Sequence, residues 1–351
     1  MSFLEIRQLT KRWGDKVAVD DLSLTIDEGE FVALLGPSGC GKSTTLNMIA
    51  GLETPSSGEI HLNGQDISAL PPGRRNLSMV FQSYALLPHL SVKENILFGL
   101  KARRVPRQEQ ADRLEHALAL VDLNDHVHKK PGQLSGGQCQ RVALARTIVS
   151  KAPLCLMDEP LSNLDAKLRN EMRSEIRALQ QKLGLTVVYV THDQVEAMSM
   201  ADRILLLNQG QVEQNDRPDA LYNQPASRFT AGFIGQPPMN LFERDGVIIG
   251  VRPEHIRVVD DGGLMVEVID EDYHGAESIL TVDLHGERLR LTRPGRTHSL
   301  RGTRLRIAWP IEDEHRFCPD TGRRLPAAPG ITPTPTEPHG ETRQCSTSRT
   351  A

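Results

Sequence analysis

Phe31-Val-Ala-Leu-Leu35 runs without a break into Gly36-Pro37-Ser38-Gly39-Cys40-Gly41-Lys42-Ser43-Thr44. The first five residues are a continuous apolar run of strand length, which suits a strand buried on both faces. The stretch after them fits G-x-x-x-x-G-K-[ST], and a helix is expected from near Lys42 with Leu46, Ile49 and Ala50 on its inner face. Strand, glycine-rich loop and helix in that order make a phosphate-binding loop. Gly36, Gly39 and Gly41 let backbone amides converge on phosphate oxygens, and the helix N-terminus adds its dipole. Lys42 offers a point charge to the β and γ phosphates, and Ser43 a hydroxyl to Mg²⁺.

Further apolar runs of strand length recur at Leu77 to Phe81, Leu154 to Met157, Val187 to Val190 and Ile204 to Leu207. They predict a parallel sheet flanked by helices, an α/β fold. Leu22 to Ile26 alternates instead, as a half-exposed antiparallel strand does. Between Pro106 and Pro131, the spacing of Leu114, Ala117, Leu118 and Val121 predicts one amphipathic helix within a helical insert over about 86–150. Asp158 and Glu159 close the run at 154–157, where side chains emerge at the ligand-binding edge of such a sheet. Asp158 is the candidate Mg²⁺ ligand, and Glu159 the candidate general base for an attacking water. The same pair could merely cap a following helix.

Leu134-Ser135-Gly136-Gly137-Gln138 carries a second signal. Taken alone, Ser135 and Gln138 have the form of a capping box that opens a helix. Together with the phosphate loop and with Leu154-Cys-Leu-Met-Asp158-Glu159, the pentapeptide resembles the ATP-binding cassette family. That resemblance implies an ATPase that works as a pair, in which Ser135, Gly136, Gly137 and Gln138 of one subunit close over ATP held by the other. It assigns the loop from Gly36 to Thr44 to the nucleotide. It implies that Gln82 contacts Mg²⁺ and water, that His192 bonds the γ-phosphate, and that the loop Ser162-Asn163-Leu164-Asp165 connects the two sites. Lys42, Gln82, Glu159 and His192 are then the catalytic candidates, and Ser43, Gln82 and Asp158 the metal candidates. Trp13 could be a core tryptophan; its position in the family favours a platform for adenine, since stacking a base on an aromatic ring contributes about 1–3 kcal/mol.

Longer stretches narrow the resemblance. Gln82-Ser-Tyr-Ala-Leu-Leu-Pro-His-Leu-Ser, Glu159 to Arg169 and Tyr189 to Met198 are similar to the ATP-binding subunits of bacterial carbohydrate importers. The maltose and sn-glycerol-3-phosphate systems are the nearest, and His315 to Leu325 favours the latter. The resemblance implies a homodimer at the cytoplasmic face of the inner membrane, two integral-membrane permease subunits, and a solute-binding protein in the full complex. Maltose or trehalose-type sugars and polyamines are alternative cargoes. Cassette ATPases of the repair or translation type carry long coiled-coil insertions or two cassettes per chain, whereas this insert is short and the cassette single. Cys139 and Leu87 depart from the family, standing where a polar residue (often arginine) and an aromatic residue are usual.

The 351 residues have room for a large domain and a smaller one, expected at 1–235 and 236–325, with a disordered tail over 326–351. From Val247 onward, short alternating segments separated by glycines predict a small all-β domain of the barrel-like OB or TOBE kind. Lysine and arginine total 41 against 45 acids, a net charge of −4, so no nucleic-acid partner is expected. No apolar run approaches the ~18 residues of a membrane span, and the N-terminus lacks a signal-peptide core. The five cysteines are scattered and form no C-x-x-C pair, which predicts reduced thiols. Cys40 lies in the phosphate loop and Cys139 abuts the pentapeptide. The amides around Cys40 would favour its thiolate, and oxidation could then join it to Cys139 across a closed dimer.

Overall fold

The computed structural model describes residues 2–295 and 300–326. The chain divides into two compact units, Met1–Gln236 and Pro237–Ala351. Apart from Pro326, the expected disordered tail lies outside the described residues.

The first unit is built on two sheets. One is antiparallel, in the order β2-β1-β4-β5: β1 Leu4–Trp13, β2 Lys16–Ile26, β4 Ser57–Leu62 and β5 Gln65–Asp66. The other has the order β10-β9-β3-β8-β7-β6, with β3 Phe31–Leu35, β6 Leu77–Val80, β7 Leu154–Asp158, β8 Thr186–Val190, β9 Arg203–Asn208 and β10 Gln211–Asp216. Its strands run parallel except for the edge strand β10.

The apolar runs behave as buried central strands. Every residue of β3 and of β8 is buried. Alternation divides them between opposite faces of the sheet. Phe31, Cys155, Met157, Val187 and Tyr189 join the core beneath the helical insert, while Val32, Leu34, Leu154, Leu156, Val188 and Val190 join the core shared with the antiparallel sheet. β2 keeps the alternation expected of a strand with one wet face, with Leu22, Leu24 and Ile26 buried and Ser23 and Thr25 exposed.

The helices of this unit are α1 Lys42–Ala50, α2 Val92–Ala102, α3 Arg107–Leu120, α4 Gly136–Ser150, α5 Ala166–Leu183, α6 Gln194–Met200, α7 Pro218–Asn223 and α8 Arg228–Phe233. Leu114, Ala117 and Leu118 of α3 are buried, as their spacing requires, and Val121 continues the stripe just past the helix end. No helix among the described residues is long and apolar enough to cross a membrane.

The second unit is all-β. β11 Asn240–Arg244, β12 Val247–Val251 and β18 His315–Phe317 form one sheet. β13 Arg257–Val259, β14 Leu264–Tyr273, β15 Glu277–Leu284, β16 Glu287–Pro294 and β17 Arg304–Ala308 form the other, in the order β13-β17-β14-β15-β16. A single apolar core joins them. Asn240 ties the two sheets by side chain: its amide donates to Val251 O and Arg290 O and its carbonyl accepts from Arg290 N. β11, β13 and β18 escape a periodicity reading because short edge strands hold few alternations.

Candidate functional site

The sheet order places the chemistry. β3, β8, β7 and β6 are consecutive neighbours and parallel, so their carboxyl ends share one edge. Along that edge stand the glycine loop after β3, His192 after β8, Asp158 and Glu159 at the end of β7, and Gln82 just past β6. This is the ligand edge of an open α/β sheet.

The loop itself admits no side chains at two points. Gly36 has φ +151°, and a Cβ there would lie 2.3 Å from Leu207 O. Gly41 has φ +104°, and a Cβ would lie 2.5 Å from Ala18 O. Gly41 is also the N-cap of α1, so no side chain satisfies the first amides of that helix. Those amides form an anion-binding end. Lys42 is 5% exposed, and its Nζ donates to Gly36 O at 2.8 Å and Pro37 O at 2.9 Å. The ammonium is thereby held inside the loop rather than free on the surface.

Ser43 Oγ donates to Asp158 Oδ1 at 3.0 Å. Burial pushes the Asp158 carboxyl above the usual aspartate range, against the Ser43 hydrogen bond and the Lys42 charge, which lower it. Among the described residues no group of three or more His, Cys, Asp and Glu side chains could hold a metal ion. A cation at Ser43 and Asp158 would therefore need phosphate and water oxygens to complete its shell, which suits Mg²⁺ and a nucleotide together.

Glu159 sits at φ +42°, a backbone region that side-chain-bearing residues rarely adopt. Its N–H donates to Val190 O at 3.0 Å, and its carbonyl accepts from Ser162 Oγ at 2.9 Å. These bonds impose the strained turn, and strain of this kind concentrates at functional sites. The Glu159 carboxylate Oε2 lies 3.1 Å from His192 Nδ1. Gln82 Nε2 donates to Ser162 Oγ at 3.2 Å, and Asn163 Nδ2 donates to Gln82 O at 2.9 Å.

Trp13 is 48% exposed, so it is not a core tryptophan. It pairs with Lys16 at the turn of the β1–β2 hairpin. Ala18, further along β2, abuts Gly41. Lys11 Nζ sits 5.4 Å from the indole centroid.

The remaining sequence candidates gather elsewhere. Ser135 caps α4 in a full capping box with Gln138. A Cβ on Gly136 would meet Leu164 at 3.1 Å, and one on Gly137 would meet Leu168 at 2.9 Å, so the pentapeptide packs against the loop that carries Asp165. Asp165 caps α5 by accepting from Leu168 N. Among the described residues no hydrogen bond or ion pair joins Ser135–Gln138 to the glycine loop. One chain thus carries two partial clusters, a phosphate-loop edge and a pentapeptide face.

The expected thiolate at Cys40 is not what the structure gives. Cys40 is 4% exposed, and burial raises its thiol above the ordinary range despite Lys42 beside it. Cys139 is raised for the same reason. Sequence reading also missed Arg146, which donates to Tyr84 O and Ala85 O, and buried Asn95, which bonds Leu87, Leu90 and Ser91. Both fix the loop after Gln82. Nothing in local sequence marks them, because their partners are backbone groups brought near by folding.

A phosphate loop, a strand-end Asp-Glu pair and a separate capped pentapeptide define a cassette ATPase. The sequence profile described as ABC transporter matches residues 19–162, and that of the TOBE domain residues 249–317. The sn-glycerol-3-phosphate import ATP-binding protein UgpC of Ruegeria pomeroyi is 42% identical over 93% of this chain and 99% of its own length. The trehalose/maltose import ATP-binding protein MalK of Thermococcus litoralis is 52% identical over 69% of this chain and 67% of its own. The ATP-binding cassette MJ0796, solved in a dimeric post-hydrolysis state with ADP and Pi, superposes with a TM-score of 0.54 at 34% identity, covering 61% of this chain and 98% of that one. The chain belongs to the ABC transporter family, in its carbohydrate-importer branch of ATP-binding subunits. It binds ATP, and its hydrolysis of ATP is coupled to solute import.

Proposed function

We propose that this chain energises import of sn-glycerol-3-phosphate or a closely related carbohydrate. The full-length likeness to the sn-glycerol-3-phosphate subunit, which includes the β unit, carries this reading. The higher identity to a trehalose/maltose subunit covers a smaller share of the chain and keeps those sugars as the second reading. The subunit would act as a homodimer at the cytoplasmic face of the membrane, beside two permease subunits and a solute-binding protein. The two clusters support pairing, since a second copy would present its pentapeptide to the phosphate loop of the first.

In this reading Gly36 to Thr44 bind the phosphates through amides and Lys42, and Trp13 stacks on adenine. Ser43, Asp158 and Gln82 would hold Mg²⁺, which when bound neutralises charge on the phosphate oxygens. Glu159 takes the proton of the attacking water, and the bond to His192 fixes its carboxylate. His192 and the amides of Gly136 and Gly137 of the partner subunit, at the helix end that Ser135 and Gln138 cap, stabilise charge on the γ-phosphoryl group. Asp165 connects the two sites.

Uptake of labelled sn-glycerol-3-phosphate, maltose, trehalose and spermidine by cells making the complete transporter tests both levels. The expected result is uptake of the first alone. Glu159→Gln should keep ATP binding yet cut turnover by roughly 10²–10⁴-fold, the usual loss when an acid–base group is removed. Preferential uptake of a disaccharide would move the assignment to the second reading. Unchanged ATP turnover in Glu159→Gln would remove Glu159 as the base.

A further inference from the structure

We propose that Arg169 and Glu196 are positioning residues that yoke the loop carrying Asp165 to the loop carrying His192, so that the two partial clusters of one chain move together. The inference rests on the ATPase reading above and adds to it a route inside the subunit.

Glu196 is 3% exposed on the short helix α6, yet it is a carboxylate. Its Oε2 accepts from Tyr189 Oη at 2.8 Å and from Thr191 Oγ1 at 2.7 Å. Thr191 Oγ1 in turn accepts from Asp193 N at 3.0 Å. His192 lies between those two residues, so the turn that carries it is closed on the Thr191 hydroxyl, which Glu196 holds in place. A buried acid with two hydroxyl donors needs a countercharge.

Arg169 supplies it from another element. The side chain rises from the first turn of α5, with Nε 4.0 Å from Glu196 Oε1 and Nη1 3.6 Å from Asp193 Oδ2. The same guanidinium donates from Nη2 to Leu164 O at 3.0 Å. Leu164 is the residue that packs over Gly136 of the pentapeptide, and its neighbour Asp165 caps α5. One planar group therefore hydrogen-bonds a carbonyl of the Asp165 loop and lies at ion-pair distance from Asp193, beside His192, and from Glu196 on α6, toward which its buried Nε points without a hydrogen bond. A shift of either loop must be carried to the other or break these contacts.

Arg169→Gln and Glu196→Gln keep size and remove charge. In full-length protein each is expected to lower kcat for ATP roughly 10- to 100-fold, the scale of a misplaced catalytic group, with the KM for ATP within about twofold of wild type. The double variant should be no slower than the slower single, because coupled residues are non-additive. Arg169→Lys, which restores charge without the fork, should recover only part of the rate. A merely structural role would instead lower Tm and raise KM along with the loss of kcat. Arg169 is partly exposed, so its variant remains a test should Glu196→Gln fail to fold. Wild-type kcat in Arg169→Gln, or losses that multiply in the double variant, would overturn the proposal. Full turnover in Glu159→Gln would instead remove Glu159 as the base in the reading beneath it and leave this test standing.

Discussion

Asp158 shows what an active residue costs the fold. Burial raises its carboxyl, so the folded state holds a proton more readily than the unfolded chain does. Its contribution to stability is present at low pH and lost as pH rises through the raised value. At neutral pH the ionised group is a net cost. Asp158→Asn keeps an acceptor for Ser43 and removes that charge. In metal-free buffer at pH 7.5 it should raise Tm by about 2 °C while abolishing turnover. A lowered Tm would show that the Ser43 bond outweighs burial. The cysteines give a second test. Burial pushes Cys155 up to about 11 and raises Cys40 and Cys139, whereas a hydrogen bond from Thr321 lowers Cys318. Peptide mapping after limited iodoacetamide treatment should find Cys318 labelled first among these and Cys155 last. Early labelling of Cys40 would restore the thiolate expected from its loop.

At the scale of elements, the loop between β6 and α2 is held by few side chains. Asn95 is 1% exposed in α2 and makes all its bonds to Leu87, Leu90 and Ser91 of that loop. Asn95→Ala would leave the partly buried Leu87 N–H and Leu90 carbonyl without these partners, at a cost of about 1–3 kcal/mol. Urea unfolding should show that loss, and ATP turnover should fall further than ATP affinity, because Gln82 rather than the glycine loop is released. Equal losses in both would place the effect in the phosphate loop instead.

At the scale of the whole molecule, each unit has its own core. All the nucleotide motifs lie before Gln236. A chain ending at Gln236 should bind a fluorescent ATP analogue within about threefold of full length, given an independent core. It should lose the nucleotide-free dimer, on the expectation that the β unit supplies a standing contact between subunits. Sedimentation showing an equally stable dimer would refute that contact.

The phosphate loop, the central strands and the α3 stripe were legible in the sequence because each depends on neighbours in the chain. A glycine pattern, a continuous apolar run and a 3.6-residue period are local. Asp158, Glu159, Gln82 and His192 could be nominated because each follows a recognisable strand. That they form one row depends on β3, β8, β7 and β6 being neighbours, and strand order is a long-range choice. The raised thiol of Cys40 likewise follows from burial, which reverses what its loop alone suggests. Arg146, Asn95, Arg169 and Glu196 were invisible for the same reason. Arg146 reaches Tyr84 and Ala85, and Arg169 reaches Asp193, from far along the chain, while Asn95 and Glu196 bond groups four to eight residues away whose directions only the folded backbone sets.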